Sequence, residues 1–236
     1  MEEIMCYKPK NKVRLVTATS LFDGHDVSIN LMRRLLQEGG AEVIHLGHNR
    51  SVDEIANTAL QEDAQGIAVS SYQGGHMEFF RYLLERVNKL GRKDMKIFGG
   101  GGGVILPQEA KELEKDGITR IYTPEDGLKL GLQGMINDIL EKSDYPLDQW
   151  SPTYGSEPLN LQDKKRFARA LSVLEHGKGD LPTKIRSQVK NGRREGNLEK
   201  NGMHHSAEPP LVIGITGPGG AGKSSLTDEI VRRFLL

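Results

Sequence analysis

Five short apolar runs, Leu15–Ser20, Ala41–Gly47, Gly66–Ser71, Met95–Phe98 and Arg120–Thr123, alternate with five segments whose apolar residues recur at helical spacing. The helical segments are expected at Ile29–Leu36, Val52–Glu62, Met77–Leu90, Pro107–Lys115 and Asp126–Lys142. Gly39-Gly40 stop the first, Ser51 precedes the second as a cap, and Pro107 opens the fourth. A strand followed by a helix and another strand implies a parallel pair, because parallel strands need a long crossover. Gly66-Ile67-Ala68-Val69 is too continuously apolar for an exposed edge, as a strand covered on both faces should be. Right-handed crossovers then lead to an α/β fold: a flavodoxin-like, doubly wound sheet of five parallel strands in the order 2-1-3-4-5. Ligands of such sheets bind outside the carboxyl ends of the strands at the switch point, here between the first and third strands.

Three loops meet that edge. The first holds Asp23-Gly24-His25-Asp26. At this spacing a carboxylate can accept a hydrogen bond from one ring nitrogen of His25 while the other faces outward, which fixes the tautomer and raises the basicity of the outward nitrogen. The same four residues are also what an ordinary solvated turn contains. The second loop, Ser70-Ser71-Tyr72-Gln73-Gly74-Gly75, offers hydroxyls, an aromatic ring and two glycines. The third is a run of five glycines, Gly99 to Gly103, into which the fourth strand empties. Glycines weaken a strand but let a ligand or a second backbone approach closely, so stability does not explain five in a row. Tyr72 reads equally as a surface aromatic at a strand end.

The first loop resembles the cobalamin-binding domain of the coenzyme-dependent acyl-CoA mutases, whose pattern is Asp-x-His-x-x-Gly. Asp23 and His25 match in kind and spacing, and Ser28 stands where the pattern has glycine, at a place where a serine can cap a helix. The resemblance implies a Rossmann-like domain that binds adenosylcobalamin, with His25 displacing the cofactor's benzimidazole as the axial ligand of cobalt. By the same resemblance Asp23 holds the histidine, with Gly24 and Asp26 in the same loop. Ser70, or Ser71 by a shift of register, would hydrogen-bond the displaced benzimidazole. Gly99, Gly100 and Gly101 would line the slot for the nucleotide tail, with Gly74 and Tyr72 beside it and Tyr72 closing it.

From Ser143 onward Pro and Gly punctuate the chain, and only Leu161–Leu174 has helical periodicity. Lys184–His205 is basic and poor in apolar and aromatic residues, which suits a solvated tether better than a nucleic-acid surface. A second motif follows. Leu211–Thr216 reads as a buried strand running into Gly217-Pro218-Gly219-Gly220-Ala221-Gly222-Lys223-Ser224, with a helix expected over Ser225–Leu235. This satisfies GxxxxGK[ST] in its proper context. Gly217, Gly219, Gly220 and Gly222 would expose N–H groups to nucleotide phosphates, Lys223 would supply charge, and the Ser224 hydroxyl would ligate Mg2+, with Ser225 beside it. The sequence stops at Leu236 without the later elements of such a domain, so a fragment of a longer protein is expected.

The expected organisation is a cobalamin-binding domain over 1–145, a linker with a helical patch over 146–208, and the start of a P-loop GTPase domain over 209–236. That order resembles the fused acyl-CoA mutases of the isobutyryl-CoA type, in which a GTPase chaperone lies between cofactor domain and substrate barrel. The resemblance implies GTP and Mg2+ as further ligands of the full-length protein, the barrel and GTPase domain as partners in cis or in trans, and a homodimer. This chain alone would hold the cofactor and isomerise nothing. Lys plus Arg balance Asp plus Glu at 32 each, so nothing in the charge calls for nucleic acid or an anionic membrane. No apolar run approaches the roughly 20 residues of a span, the amino terminus lacks a secretory core, and Cys6 is the single cysteine, all of which suits the cytoplasm. A cobalamin-dependent sensor or corrinoid carrier acting through protein partners is the competing reading. A phosphorylation receiver fits less well, because Ser70-Ser71-Tyr72-Gln73 offers no carboxylate.

Overall fold

The computed structural model describes residues 5–151, 154–160, 162–176 and 181–187, with three isolated positions, 226, 227 and 230, beyond them. Met1–Ile185 is one compact unit and Arg186–Leu236 is counted as a second. The P-loop residues Gly217 to Ser225, with the proposed magnesium ligand Ser224, lie outside the described residues, as does most of the basic stretch.

In chain order the first unit contains β1 (Arg14–Thr19), α1 (Val27–Glu38), β2 (Glu42–His45), α2 (Val52–Gln61), β3 (Gly66–Ser70), α3 (His76–Lys89), β4 (Lys96–Gly100), α4 (Pro107–Asp116), β5 (Arg120–Tyr122), α5 (Pro124–Ser143) and α6 (Lys164–His176). The strands are all parallel, in the order β2-β1-β3-β4-β5. Alternation along each strand sorts the core into two layers. Ile67, Val69, Ile97 and Ile121 face α2, α3 and α4, where Ile55, Phe80 and Leu113 are fully buried. Leu15, Ala68, Phe98 and Tyr122 face α1 and α5, against Leu36, Ile136 and Leu140. The register sets Thr19 beside Ser70, Ser70 beside Gly100, and Gly100 beside Tyr122. Four strand ends therefore form one edge.

Three sequence expectations are corrected. β4 does not stop at Phe98; Gly99 and Gly100 continue the ladder, pairing with Val69 and Ser70, and position 99 is glycine because a Cβ there would lie 2.4 Å from the Phe80 ring and 2.5 Å from Ile121. The space of a side chain is already filled from α3 and β5. Ser28 does not cap α1: the helix begins at Val27 after Asp26, whose side chain makes no capping bond, and the Ser28 hydroxyl pairs with the Tyr72 hydroxyl instead. α5 starts two residues early, at Pro124, since Thr123 and Asp126 form a reciprocal capping box, and Gly131 (φ 64°, ψ 174°) breaks it into two stretches. The cap at Ser51 stands as expected, completed by Glu54.

The chain after α5 packs against this body. α6, which overlaps the expected helical patch and runs two residues past it, buries Ala170 and Val173 in a small core with Leu159, Leu181 and Ile185. It also reaches a buried ionic knot beneath the sheet. Asp63, 2% exposed, accepts from Arg92 Nη1 at 2.8 Å and from Arg169 Nε at 2.7 Å. Burial alone would push the Arg92 guanidinium down, but hydrogen bonding to Asp94 and the charges of Asp63 and Asp94 hold it above its ordinary value. Among the described residues no helix is long and apolar enough to cross a membrane.

Candidate functional site

The site grows from the end of β1. A turn closed by Asp23 N–H to the Ser20 carbonyl (3.1 Å) delivers Asp23 inward and His25 outward. Asp23 Oδ1 accepts from the His25 backbone N–H at 2.9 Å and from Nδ1 at 2.8 Å, while Oδ2 accepts from the Tyr72 backbone N–H. One buried carboxylate thus ties the loop after β1 to the loop after β3. With the Nδ1 proton spent on Asp23, Nε2 carries the free lone pair, on a side chain that is 77% exposed. Burial pushes the Asp23 carboxyl up, but the backbone N–H groups of Tyr72 and His25 and the imidazole outweigh it, holding the carboxyl below the ordinary carboxylate range.

A depressed folded-state value stabilises the fold above the unfolded-state pKa and loses that contribution as pH falls through the folded one. Acid unfolding should show it. The denaturation midpoint of the native chain is expected to fall below about pH 4 more steeply than that of Asp23→Asn, the unfolded carboxyl titrating near there. Parallel acid limbs in urea titrations would contradict this.

From Ser28 and Tyr72, next to the His25 loop, a slot of about 260 Å³ opens between the sheet and the helix pair α1 and α5. Ile29 and Met32 wall one side, Met135 and Ile139 the other, and Ala68, Phe98 and Tyr122 form the floor. Ser70 lies on this wall, its Oγ donating to Thr19 Oγ1 at 3.4 Å. Ser71 is fully buried, held by a 2.8 Å bond from Ser20, and does not line the slot. Of the two serines the sequence left open, Ser70 is therefore the one that borders the slot.

Gly99, Gly100 and Gly101 all border the slot, for different reasons. Gly99 yields to Phe80, as above. A Cβ on Gly101 would sit 1.9 Å from the Ser71 carbonyl oxygen, so glycine is what lets the two loops touch. A Cβ on Gly100 would meet only Tyr122, its carbonyl oxygen at 3.4 Å. Gly101→Ala should therefore lower stability by at least about 1–3 kcal/mol, the usual cost of forced overpacking, whereas Gly100→Ala should cost far less. Equal denaturation midpoints for the two variants would refute the distinction. Gly24 and Gly74 have open space around them.

At the mouth, the Tyr72 hydroxyl meets Ser28 Oγ at 2.8 Å, and its ring lies 5.6 Å from that of His25. Gly102, φ 55°, borders the slot beneath the Tyr72 ring. The sequence reading did not assign Gly102, Ile29, Met32, Met135 or Ile139. The four apolar residues carried only a helix-face signal, indistinguishable from core.

The family model for the B12 binding domain matches residues 13–125. Those residues are a B12-binding domain. Fused isobutyryl-CoA mutase of Geobacillus kaustophilus (strain HTA426) is 54% identical over 233 residues, 97% of this chain and 20% of that protein. The fused isobutyryl-CoA mutase of Cupriavidus metallidurans is 51% identical over 230 residues, again 97% and 20%. The 2-hydroxyisobutanoyl-CoA mutase small subunit of Aquincola tertiaricarbonis is 29% identical over 109 residues, 46% of this chain and 79% of that one. The chain spans about 20% of the length of the fused relatives, matching their N-terminal part. The B12-binding domain as matched ends before Met135 and Ile139, although α5 supplies one wall of its slot.

The residues present fit a cobalt corrinoid. Among the described residues no three His, Cys, Asp or Glu side chains gather as a metal site. A single outward imidazole suits a metal whose other positions are filled by its own macrocycle, and an apolar slot beside it suits a detached aromatic base.

Proposed function

We propose that this chain is the cofactor module of a radical acyl-CoA mutase of the isobutyryl-CoA or methylmalonyl-CoA type, holding adenosylcobalamin with its benzimidazole detached and His25 as the axial ligand. The observation that carries the reading is His25 itself: Nδ1 pinned at 2.8 Å to a buried carboxylate, on an exposed side chain 5.6 Å from the ring of Tyr72, which borders an apolar slot. Asp23 orients the ring and raises its donor strength. Ser70 offers a hydroxyl to the detached base, Gly100 and Gly101 keep the wall thin, and Tyr72 stands at the mouth. The chemistry such a cofactor supplies is a carbon-centred radical from its carbon–cobalt bond; the protein's share is to hold and tune it. In the complete protein the P-loop of Gly217 to Ser225, including Lys223 and Ser224, would bind GTP and Mg2+, and a substrate barrel would complete the active site in cis or in trans.

The test is paramagnetic resonance of the reduced, Co(II) cofactor on chain labelled with 15N-histidine. Doublet splitting from one axial 15N is expected. Triplets from unlabelled benzimidazole would sink the proposal.

A further inference from the structure

Phe22, immediately before Asp23, is the third residue of the turn that aims the carboxylate, and its φ is 64°. That position favours glycine, and a bulky side chain is strained there and persists only where the surroundings impose it. Packing of the ring does not impose it, since Phe22 is 84% exposed. The restraint comes from across the sheet, from the loop between β2 and α2. Asn49 Oδ1 accepts the Phe22 backbone N–H at 2.8 Å, and the Asn49 backbone N–H donates to the Asp23 carbonyl at 3.1 Å. One residue thus grips both ends of the Phe22–Asp23 pair. Asn49 is itself left-handed, φ 56°, a conformation asparagine tolerates better than other residues with a side chain. The loop is anchored behind it: Arg50 N–H donates to the Thr19 carbonyl at 3.0 Å, and Arg50 Nε to the Leu46 carbonyl at 2.6 Å.

We infer that Asn49 is a positioning residue for the axial histidine, acting through the Phe22–Asp23 turn to keep the Asp23 carboxylate under His25 and Tyr72. The inference rests on the cobalt-ligand reading for its consequence in the loaded protein, but not for the grip itself. Asn49→Gly keeps the left-handed backbone and the N–H and removes only the side-chain acceptor.

In the cofactor-free full chain, Asn49→Gly is expected to speed hydrogen exchange about tenfold at the His25 and Tyr72 amides, both held by Asp23, with the Ile67 and Val69 amides of β3 unchanged. With added adenosylcobalamin it should weaken binding roughly tenfold, the lower end for a residue supporting a metal ligand, and reduce the 15N-histidine coupling. In a Phe22→Gly background, where the turn needs no restraint, the same change should cost less than twofold. The inference is overturned if exchange at His25 and Tyr72 stays within twofold of native, or if the loss is equal in both backgrounds. Should the native chain show no 15N-histidine coupling while those amides still respond to Asn49→Gly, the ligand assignment fails and the grip stands.

Discussion

Replacing His25 by alanine is expected to abolish the axial 15N coupling and weaken adenosylcobalamin binding by roughly a hundredfold, while leaving the unfolding midpoint near native. The affinity estimate follows from metal sites in which even a supporting residue is worth 10–100-fold. The unchanged stability follows from exposure: the imidazole is 77% accessible, and its one strong partner, Asp23, keeps its backbone donors in the variant. Equilibrium dialysis, resonance spectra and urea titration read the three quantities separately. Persistence of the doublet would move the ligand to another histidine, with His45 at the end of β2 and His48 on the loop after it the first to test.

Asp63→Ala should be the most destabilising single change among the buried polar groups, by about 3–5 kcal/mol, because it strands buried cations rather than merely deleting a bond. Arg92 is 1% exposed and Arg169 7%. Arg92 retains Asp94, at 3.1 Å, whereas the carboxylate that faces Arg169 is Asp63, at 2.7 Å. A paired Asp63→Ala, Arg169→Met variant should therefore recover part of the loss, and its absence in a double-mutant cycle would show that Arg169 is not the stranded group. Surface pairs such as Lys12 with Glu175 make a contrast, since exposed pairs are worth roughly 0–1 kcal/mol.

The strand order was legible because every strand carries its own local signal: a short apolar run, a glycine or polar stop, then helical spacing. Asp23 and His25 were legible because their contact spans two residues. What escaped the sequence was whatever depends on partners far along the chain. Gly99 and Gly100 read as loop, since nothing near them announces that Phe80 occupies the missing side-chain volume. The bond from Arg169 to Asp63 crosses 106 positions and leaves no periodic trace. Asn49 lay in a stretch where only the Ser51 cap stood out, and its role depends on the φ of Phe22, which no bulky residue advertises.

The doubly wound order places α1 and α5 on the same face, so the two walls of the slot come from opposite ends of the domain: Ile29 and Met32 from one, Met135 and Ile139 from the other. If the slot takes the cofactor's nucleotide tail, as proposed, a nascent polypeptide can display its histidine early, yet lacks one wall of that receptacle until the fifth helix has emerged. On the reading proposed above, capture of the cofactor therefore waits for a helix that follows the last strand, and a chain cut before Met135 should keep all five strands yet bind far more weakly.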